Sequence, residues 1–190
     1  MEEGLAVMSL FSSRSSLSFL MVKGHRHRWW WVLAATFVIY GTLPLMPILV
    51  RTLFESYGRS SVYIVMNAVL IGSIVVVLFM MRSLPRRHWW RIIVPLLLTG
   101  VVVITIDNTI ERVHFLEYAL LGMLVVWAMG LPTSINALVV AALMVALIGL
   151  GDEAIQWILP NRYWDLRDVA MNGVGGALGV WVRTVLHHSG

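Results

Sequence analysis

The sequence of 190 residues contains no cysteine and few charged residues. Without cysteine it has no disulfide framework, no thiol nucleophile and no thiolate metal site. Charged residues make up 13% of the chain and hydrophobic residues 59%, whereas soluble domains average about 25% charged and about 45–50% apolar residues. A folded chain of this size cannot bury so much apolar surface from water. A soluble globular enzyme, a disordered chain and a coiled coil are therefore excluded, and a lipid bilayer is the expected solvent.

The net charge is +4, but the basic residues are not arranged for nucleic-acid binding. They form short clusters beside apolar runs, at Lys23, Arg26 and Arg28 and again between Arg82 and Arg91. Clusters of this kind flank membrane spans and face anionic lipid. We therefore expect membrane lipid, and not nucleic acid, as the partner of these residues.

Six apolar segments are long enough, or nearly so, to cross a bilayer, which takes about 20 helical residues. Because backbone polar groups cannot be left unpaired in lipid, these segments are predicted to be helices. The sequence thus predicts an all-α, polytopic transmembrane helical bundle of about six spans. Their approximate ranges are 29–50, 62–81, 92–106, 113–129, 134–150 and 169–186.

The basic residues also predict the orientation of the bundle. With the N-terminus inside, the inner loops and tails hold nine Lys and Arg residues and the outer loops hold five. Both termini are therefore predicted to be cytoplasmic. Residues 1–27, which are Ser-rich and end in a basic cluster, are predicted to be a mobile cytoplasmic tail, and residues 28–190 the transmembrane domain.

The acidic residues are concentrated in one part of the chain. Seven of the ten lie between Asp107 and Asp168. On the predicted topology, six of these seven lie at the outer ends of helices or in outer loops, and Glu117 lies inside the fourth span. A charge at the bilayer centre costs roughly 2.5–3.5 kcal/mol on insertion scales, so such a residue has to face the bundle interior, find a partner or be protonated. A polar site near the outer ends of the last three spans is therefore expected.

Helical spacing arranges the polar residues into stripes, because residues three or four apart share one face of a helix. The stripes are Glu111–His114–Tyr118, Glu153–Gln156 and Asp165–Asp168–Asn172. In the last span, Gly175 and Gly179 form a small-xxx-small pair, which allows close helix approach. Three helix ends are thus predicted to turn polar stripes toward one outer surface.

The same residues resemble the motifs of the VanZ-like membrane proteins. Residues 111–122, ERVHFLEYALLG, resemble that family's His-Phe…Tyr…Leu-Gly motif, and residues 152–156, DEAIQ, resemble its Asp-Glu-x-x-Gln. Residues 160–176 are similar to its Pro-x-Arg…Asp-x-x-x-Asn-x-x-Gly segment. Where the family often has a Lys shortly before the His-Phe pair, this chain has Arg112, which keeps the charge but cannot release its proton.

The resemblance extends over about residues 107–179, with the motifs in the family's order and spacing. The family is named for a protein linked to resistance against teicoplanin, a lipoglycopeptide antibiotic. The resemblance therefore implies a multi-pass protein of the bacterial cytoplasmic membrane, and it implies a fold and a site more than a reaction.

One function left open is that of a membrane-embedded enzyme acting on a lipid-linked or envelope substrate at the outer face. Carboxylates paired beside a His suit general acid–base catalysis. Asp152 or Glu153 would be the base and His114 its partner. The candidate catalytic residues are His114, Asp152, Glu153, Gln156, Asp168 and Asn172. No cofactor is required, although a divalent metal held by carboxylates is compatible with the set Glu111, Asp152, Glu153 and Asp168.

A binding or shielding protein for an amphiphile is the second open function. Trp157 and Trp164 would hold an acyl chain or a sugar ring, unless they belong to the outer interfacial belt. Arg162 or Arg167 would clamp a phosphate or carboxylate. The candidate substrate-binding residues are Glu111, Tyr118, Trp157, Arg162, Trp164 and Arg167.

The third open function is a proton-coupled transporter, in which His114, Glu117 and Asn172 would form a proton relay. A non-catalytic membrane scaffold is the remaining alternative. A carrier needs a midplane site that is accessible from both sides. The charges of this chain gather toward one face, which argues against transport. The oligomeric state is left open.

Overall fold

The computed structural model describes residues 26–106, 109, 111–159 and 164–188, without the side chains of Glu111 and His188, and every regular element in this part is helical. The helices are α1 (Arg26–Thr42), α2 (Met46–Tyr57), α3 (Arg59–Met80), α4 (Trp90–Ile104), α5 (Glu111–Ala128), α6 (Ile135–Ile158) and α7 (Leu166–His188). Two short 3-10 turns, Met81–Ser83 and Arg86–His88, connect α3 to α4. The predicted all-α fold is confirmed. Almost all of the predicted N-terminal tail lies outside the described residues.

Four stretches of the described chain are long and apolar enough to cross a membrane: Arg59–Ser83, Arg86–Ile104, Ile135–Ile158 and Leu166–His187. A fifth is added if α1 and α2, which are bent by 63° relative to each other, are counted as one broken span. Helix α5, the fourth predicted span, is not among them. Its 18 residues include three charged residues, Glu111, Arg112 and Glu117. Each of the four stretches, in contrast, contains an 18-residue window with no more than two charged residues.

The first predicted span, 29–50, is not one continuous helix. Helix α1 ends at Thr42 and α2 begins at Met46. Pro44 and Pro47 account for the break, because proline lacks the N–H that a helix needs and clashes with the preceding turn. Helix α2 leaves at 63° and contains no buried residue. The prediction of a single first helix is therefore wrong.

Helix α6 is longer than the fifth predicted span, which ended at residue 150. It begins after Ser134, whose hydroxyl caps the helix by accepting a hydrogen bond from the N–H of Ala137 at 3.3 Å. It continues to Ile158, so that Asp152 and Glu153 stand on a regular helix. The helix therefore fixes the positions of both carboxylates relative to the rest of the bundle.

Helix α5 lies at the centre of the bundle and packs against α7, α1 and α6. Its inner face is completely buried at Tyr118, Leu121, Val125 and Val126. These residues share a core with Val32 and Ile39 of α1, Ala141 and Val145 of α6 and Val180 of α7. Helix α5, which is not among the four long apolar stretches, is thus the helix at the centre of the bundle.

Glycines bring α5 and α7 into close contact. A Cβ added at Gly179 would overlap the carbonyl oxygen of Ala119, and one added at Gly175 would lie 2.6 Å from the carbonyl oxygen of Phe115. Contacts this short leave no room for any side chain. The predicted close approach through Gly175 and Gly179 is confirmed.

Basic and acidic residues occupy opposite ends of the described bundle. Arg28, at the start of α1, donates to the carbonyl of Trp127 at the end of α5 at 3.0 Å. Trp181, near the end of α7, donates to the carbonyl of Arg91 at the start of α4 at 2.7 Å. The basic end carries Arg26, Arg28, Arg82, Arg86, Arg87, Arg91 and Arg183. The acidic end carries Glu55, Glu117, Asp152, Glu153, Asp165 and Asp168, together with Arg51, Arg59, Arg112 and Arg167.

Candidate functional site at the acidic end

Two adjacent acids, Asp152 and Glu153, are completely buried on the inner face of α6. All four of their carboxyl oxygens accept a hydrogen bond. Tyr118 Oη donates to Asp152 Oδ2 at 3.0 Å, and the backbone N–H of Asp165 donates to Glu153 Oε2 at 3.1 Å. Gln156 Nε2 donates to Asp152 Oδ1 at 3.3 Å and to Glu153 Oε1 at 3.1 Å. Because a buried carboxylate is costly unless it is hydrogen-bonded, this network allows α6 to keep both acids inside the bundle.

Asn172 of α7 is buried beside this network, with 1% of its surface exposed. It packs against α6, where a Cβ added at Gly149 would lie 2.7 Å from Asn172 Cβ and 3.3 Å from Tyr118 Cε1. Neither Oδ1 nor Nδ2 has a hydrogen-bond partner among the described residues. Buried polar groups are nearly always paired, and an unpaired one costs about 1–3 kcal/mol. Asn172 is thus unpaired beside a network whose carboxyl oxygens are all paired.

His114 and Glu117 lie one turn apart on α5 and form an ion-pair contact. His114 Nδ1 is 3.2 Å from Glu117 Oε2, but the contact is not aligned as a hydrogen bond. The two side chains are 16% and 33% exposed, so they are more accessible than the buried acids. His114 lies within electrostatic range of Asp152 and of Asp168, which is partly buried in the first turn of α7.

The polar cluster thus has two layers. The inner layer, here called the floor, consists of Tyr118, Asp152, Glu153, Gln156 and Asn172. The outer layer, here called the rim, consists of His114, Glu117 and Asp168. All six residues proposed from the sequence as catalytic lie in these two layers, four in the floor and two on the rim, and a catalytic role stays a prediction for each of them. The floor is contributed by α5, α6 and α7, as the three stripes predicted.

The sequence did not single out Tyr40 of α1, which borders the floor. Its hydroxyl donates to the carbonyl of Ile148 at 2.7 Å and touches Gly151, where an added Cβ would overlap it. It lies within electrostatic range of Asp152 and Tyr118. The one signal in the sequence was a tyrosine hydroxyl inside an apolar segment, which needs a partner when buried. Spacing could not identify that partner, because it lies on another helix.

Three of the predicted substrate-binding residues lie outside the floor and the rim. Trp157, directly after Gln156, is 67% exposed, and Trp164 is 40% exposed. Arg167 is also exposed, and its backbone N–H donates to Asp165 Oδ1 at 2.8 Å. Arg162 and the side chain of Glu111 fall outside the described residues. A role in substrate binding stays a prediction for all five.

Arg112, where the chain departs from the family pattern, holds helices together. Its Nε and Nη2 donate to the carbonyl of Ile106 at 3.0 and 2.6 Å, and its Nη1 donates to Asn67 Oδ1 at 3.5 Å. These bonds fasten the start of α5 to the end of α4 and to α3. A lysine ammonium could not reproduce this fork.

Of the four acids that were compatible with a divalent metal, Asp152 and Glu153 are hydrogen-bonded within the protein, and the side chain of Glu111 lies outside the described residues. In the part of the chain that the structure describes, no three His, Asp or Glu side chains form a group that could hold a metal ion. The oxygens of Asp152 and Glu153 already accept bonds from protein donors.

Comparison with known proteins gives one match. A family model described as VanZ/LLP1 matches residues 5–187, which is nearly the whole chain and includes the first three predicted spans. No curated protein and no solved structure matches the chain. Since the helices are apolar, the motifs occur in order and the family model covers the chain almost from end to end, this protein belongs to the VanZ-like family of membrane proteins.

Proposed function

We propose that this protein binds the polar head of an amphiphilic envelope molecule, or of a lipoglycopeptide antibiotic, at the acidic end of its bundle. The observation that carries the proposal is the unpaired amide of Asn172, 1% exposed and packed beside a carboxyl network whose oxygens are all paired. An amide of this kind offers both an NH2 donor group and a carbonyl acceptor to a polar group of a ligand. The bound ligand would supply the hydrogen bonds that the protein leaves unmade.

The two layers of the cluster suit a polar head entering from the end of the bundle. The rim residues His114, Glu117 and Asp168 are the first groups that it meets, and they carry ionisable side chains. In the floor beneath them, the carboxyl groups are held in place by hydrogen bonds, and Asn172 is held by close packing against α6. Binding a polar group costs less when its partners are already ordered.

The apolar part of the ligand needs no enclosed pocket, because the bilayer itself would accept it. Leu120 of α5 and Val174 of α7 are 53% and 45% exposed, and they lie on the two helices that carry the rim. An acyl chain would lie along such surfaces while its head occupies the polar cluster. This arrangement favours an amphiphile over a freely water-soluble ligand.

The acidic end is proposed to face outward across a bacterial cytoplasmic membrane. The positive-inside rule puts the arginine-rich basic end in the cytoplasm, and both termini with it. An outward site would meet envelope molecules and antibiotics before they reach the cell interior. The family's link to teicoplanin resistance supports this side of the membrane.

An enzyme acting on the same ligand is the second candidate, and one observation favours it. His114 is paired with Glu117 at 3.2 Å and lies within electrostatic range of Asp152. An imidazole between carboxyl groups can take up and release a proton, which is the requirement for general acid–base catalysis. Transport is less supported, since the core next to the floor is apolar and completely buried at Val125, Val126 and Val145.

Binding is tested with the purified full-length protein in lipid nanodiscs and teicoplanin as the probe. We expect the wild type to bind, and Asn172→Leu, which has nearly the same shape, to bind about tenfold more weakly or worse because two hydrogen bonds to the ligand are lost. Glu55→Gln is the matched control. It removes an exposed acid at the same end, outside the floor and rim, and should bind like the wild type.

Equal teicoplanin affinity of the wild type and Asn172→Leu would overturn the assignment of the site. If the wild type does not bind teicoplanin, the antibiotic part of the proposal is wrong. The envelope lipids that co-purify with the wild type and are missing from Asn172→Leu would then identify the ligand class, and identical lipids on both would end the proposal.

The mass of the bound probe after incubation separates a binding protein from an enzyme, since only an enzyme changes that mass.

A further inference from the structure

A groove of about 410 Å³ opens at the basic end, between the end of α3 and the end of α7. Its lining residues are Phe79, Met80, Arg82, Ser83, Arg183 and Leu186. None of them belongs to the floor or the rim, which lie at the opposite end of the bundle. The groove is therefore a separate feature from the candidate site.

Two arginines contribute the positive charge of this groove: Arg82 in the 3-10 turn directly after α3, and Arg183 on α7. Arg183 is partly buried, and Arg82 is exposed with its guanidinium carbon 5.2 Å from the centroid of the Phe79 ring. Within the described residues no carboxylate pairs with either arginine, since the described ion pairs lie at the acidic end. The described acids are at that end too. Two unpaired guanidinium groups in one groove attract an anion.

Apart from Ser83, the remaining lining is apolar, and it continues onto an exposed apolar surface of α3. Phe79 is 65% exposed, and Val75 and Val76, one turn before it on α3, are 57% exposed each. Arg82 and Arg183 lie near the ends of two candidate membrane spans, Arg59–Ser83 and Leu166–His187. Arginines at the ends of membrane spans lie at the level of the lipid headgroups. The groove thus combines positive charge at headgroup depth with an apolar wall at acyl-chain depth.

We propose that this groove binds an anionic phospholipid, with the phosphate between Arg82 and Arg183 and an acyl chain along Phe79, Met80 and Leu186. Guanidinium groups bind phosphate oxygens through paired, charge-assisted hydrogen bonds. Basic pockets between membrane helices on the cytoplasmic side are suited to anionic headgroups. The bound lipid would join the ends of α3 and α7.

The proposal is tested by native mass spectrometry of the full-length protein released from detergent with phosphatidylglycerol or phosphatidylcholine. We expect the wild type to retain phosphatidylglycerol in preference to phosphatidylcholine. In the double variant Arg82→Gln/Arg183→Gln the affinity for phosphatidylglycerol should fall about tenfold or more, because charge-assisted hydrogen bonds are lost. The matched control, Arg86→Gln/Arg87→Gln, removes two exposed arginines of the same end that do not line the groove, and it should retain the lipid.

Three outcomes would overturn the proposal. The first is unchanged phosphatidylglycerol binding by Arg82→Gln/Arg183→Gln, and the second is an equal loss in both double variants, which would indicate diffuse surface charge. The third is displacement of the lipid by an equal concentration of inorganic phosphate, which would make the groove a site for free anions.

A second measurement does not depend on folding of the variant. Phosphatidylglycerol with a photoreactive acyl chain is cross-linked to the wild type, and the labelled peptides are mapped. Labelling concentrated on residues 79–83 and 183–186 supports the groove. Labelling spread evenly over the lipid-facing helices contradicts it.

Discussion

Tyr118 donates a hydrogen bond of 3.0 Å to Asp152, and neither residue has any exposed surface. The bond crosses from α5 to α6 and joins two motifs that are 34 residues apart in the sequence. Asp152 receives a second bond from Gln156 on its own helix. The carboxyl group that lies deepest in the cluster is thus held by one donor from each of two helices.

Replacing Tyr118 by Phe should lower the free energy of unfolding by about 1–3 kcal/mol, because Asp152 Oδ2 would be left buried without its donor. The measurement is unfolding of the purified protein in detergent, followed by circular dichroism. Tyr57→Phe is the control, since that side chain is 69% exposed and its hydroxyl can bond to water. A Tyr118→Phe protein as stable as the control would mean that the bond contributes nothing to the fold.

Replacing Asn172 by Leu should leave the protein at least as stable as the wild type. A buried amide without partners loses its interactions with water and gains none in return, so removing it costs nothing. Asn172→Asp should do the opposite, because it places an additional acid beside Asp152 in a buried position. Both are measured as unfolding free energies in detergent. A large loss of stability in Asn172→Leu would show that the amide is paired within the protein.

Replacing Gly179 by Ala should prevent normal assembly of the bundle. The new Cβ would overlap the carbonyl oxygen of Ala119, and the backbones of α5 and α7 would have to separate. Gly175→Leu should fail for the same reason at Phe115. Size-exclusion chromatography in detergent would reveal aggregation or loss of the folded species.

Gly173→Ala is the matched control for these glycines. It lies on the same helix, and an added Cβ meets nothing within 4 Å. Alanine is favoured over glycine in a helix by about 1 kcal/mol, so this variant should be as stable as the wild type or slightly more stable. Normal assembly of Gly179→Ala alongside Gly173→Ala would contradict the close packing of α5 on α7.

Tyr40 and Gly151 should show coupled effects on stability. Gly151→Ala places a methyl group against the Tyr40 hydroxyl, and Tyr40→Phe removes that hydroxyl together with its bond to Ile148. Gly151→Ala should therefore cost less stability in the Tyr40→Phe background than in the wild type, with a coupling of about 0.5–3 kcal/mol between directly contacting residues. Strictly additive effects would indicate that the two residues do not touch.

Helical spacing alone was sufficient to predict much of the site. Glu153 and Gln156 share a face, as do Asp168 and Asn172, because residues three or four apart on a helix lie together in any tertiary structure. Gly175 and Gly179 could be predicted as a contact for the same reason. Once the helices exist, these relationships depend only on local geometry.

The features that spacing could not predict depend on neighbouring helices. Pro44 and Pro47 lie within the first predicted span, but the bend of 63° also depends on what α2 packs against. Trp157 and Gln156 are adjacent, and the packing of α6 on α5 and α7 decided that Gln156 is buried and Trp157 exposed. Tyr40 joins the site because α1 packs against α6, a contact that no local pattern encodes.

Because the acidic residues and seven of the arginines lie at opposite ends, the described bundle has a permanent dipole moment directed from one end to the other. In a cell whose interior is electrically negative, the membrane potential acts on this dipole moment and favours the orientation in which the arginine-rich end lies inside. Each elementary charge moved across the full potential changes the energy by about 2.3 kcal/mol per 100 mV. With the basic end inside, as we propose, the membrane potential would resist inversion of the protein after insertion, and an energised cell would hold that orientation more firmly than a depolarised one.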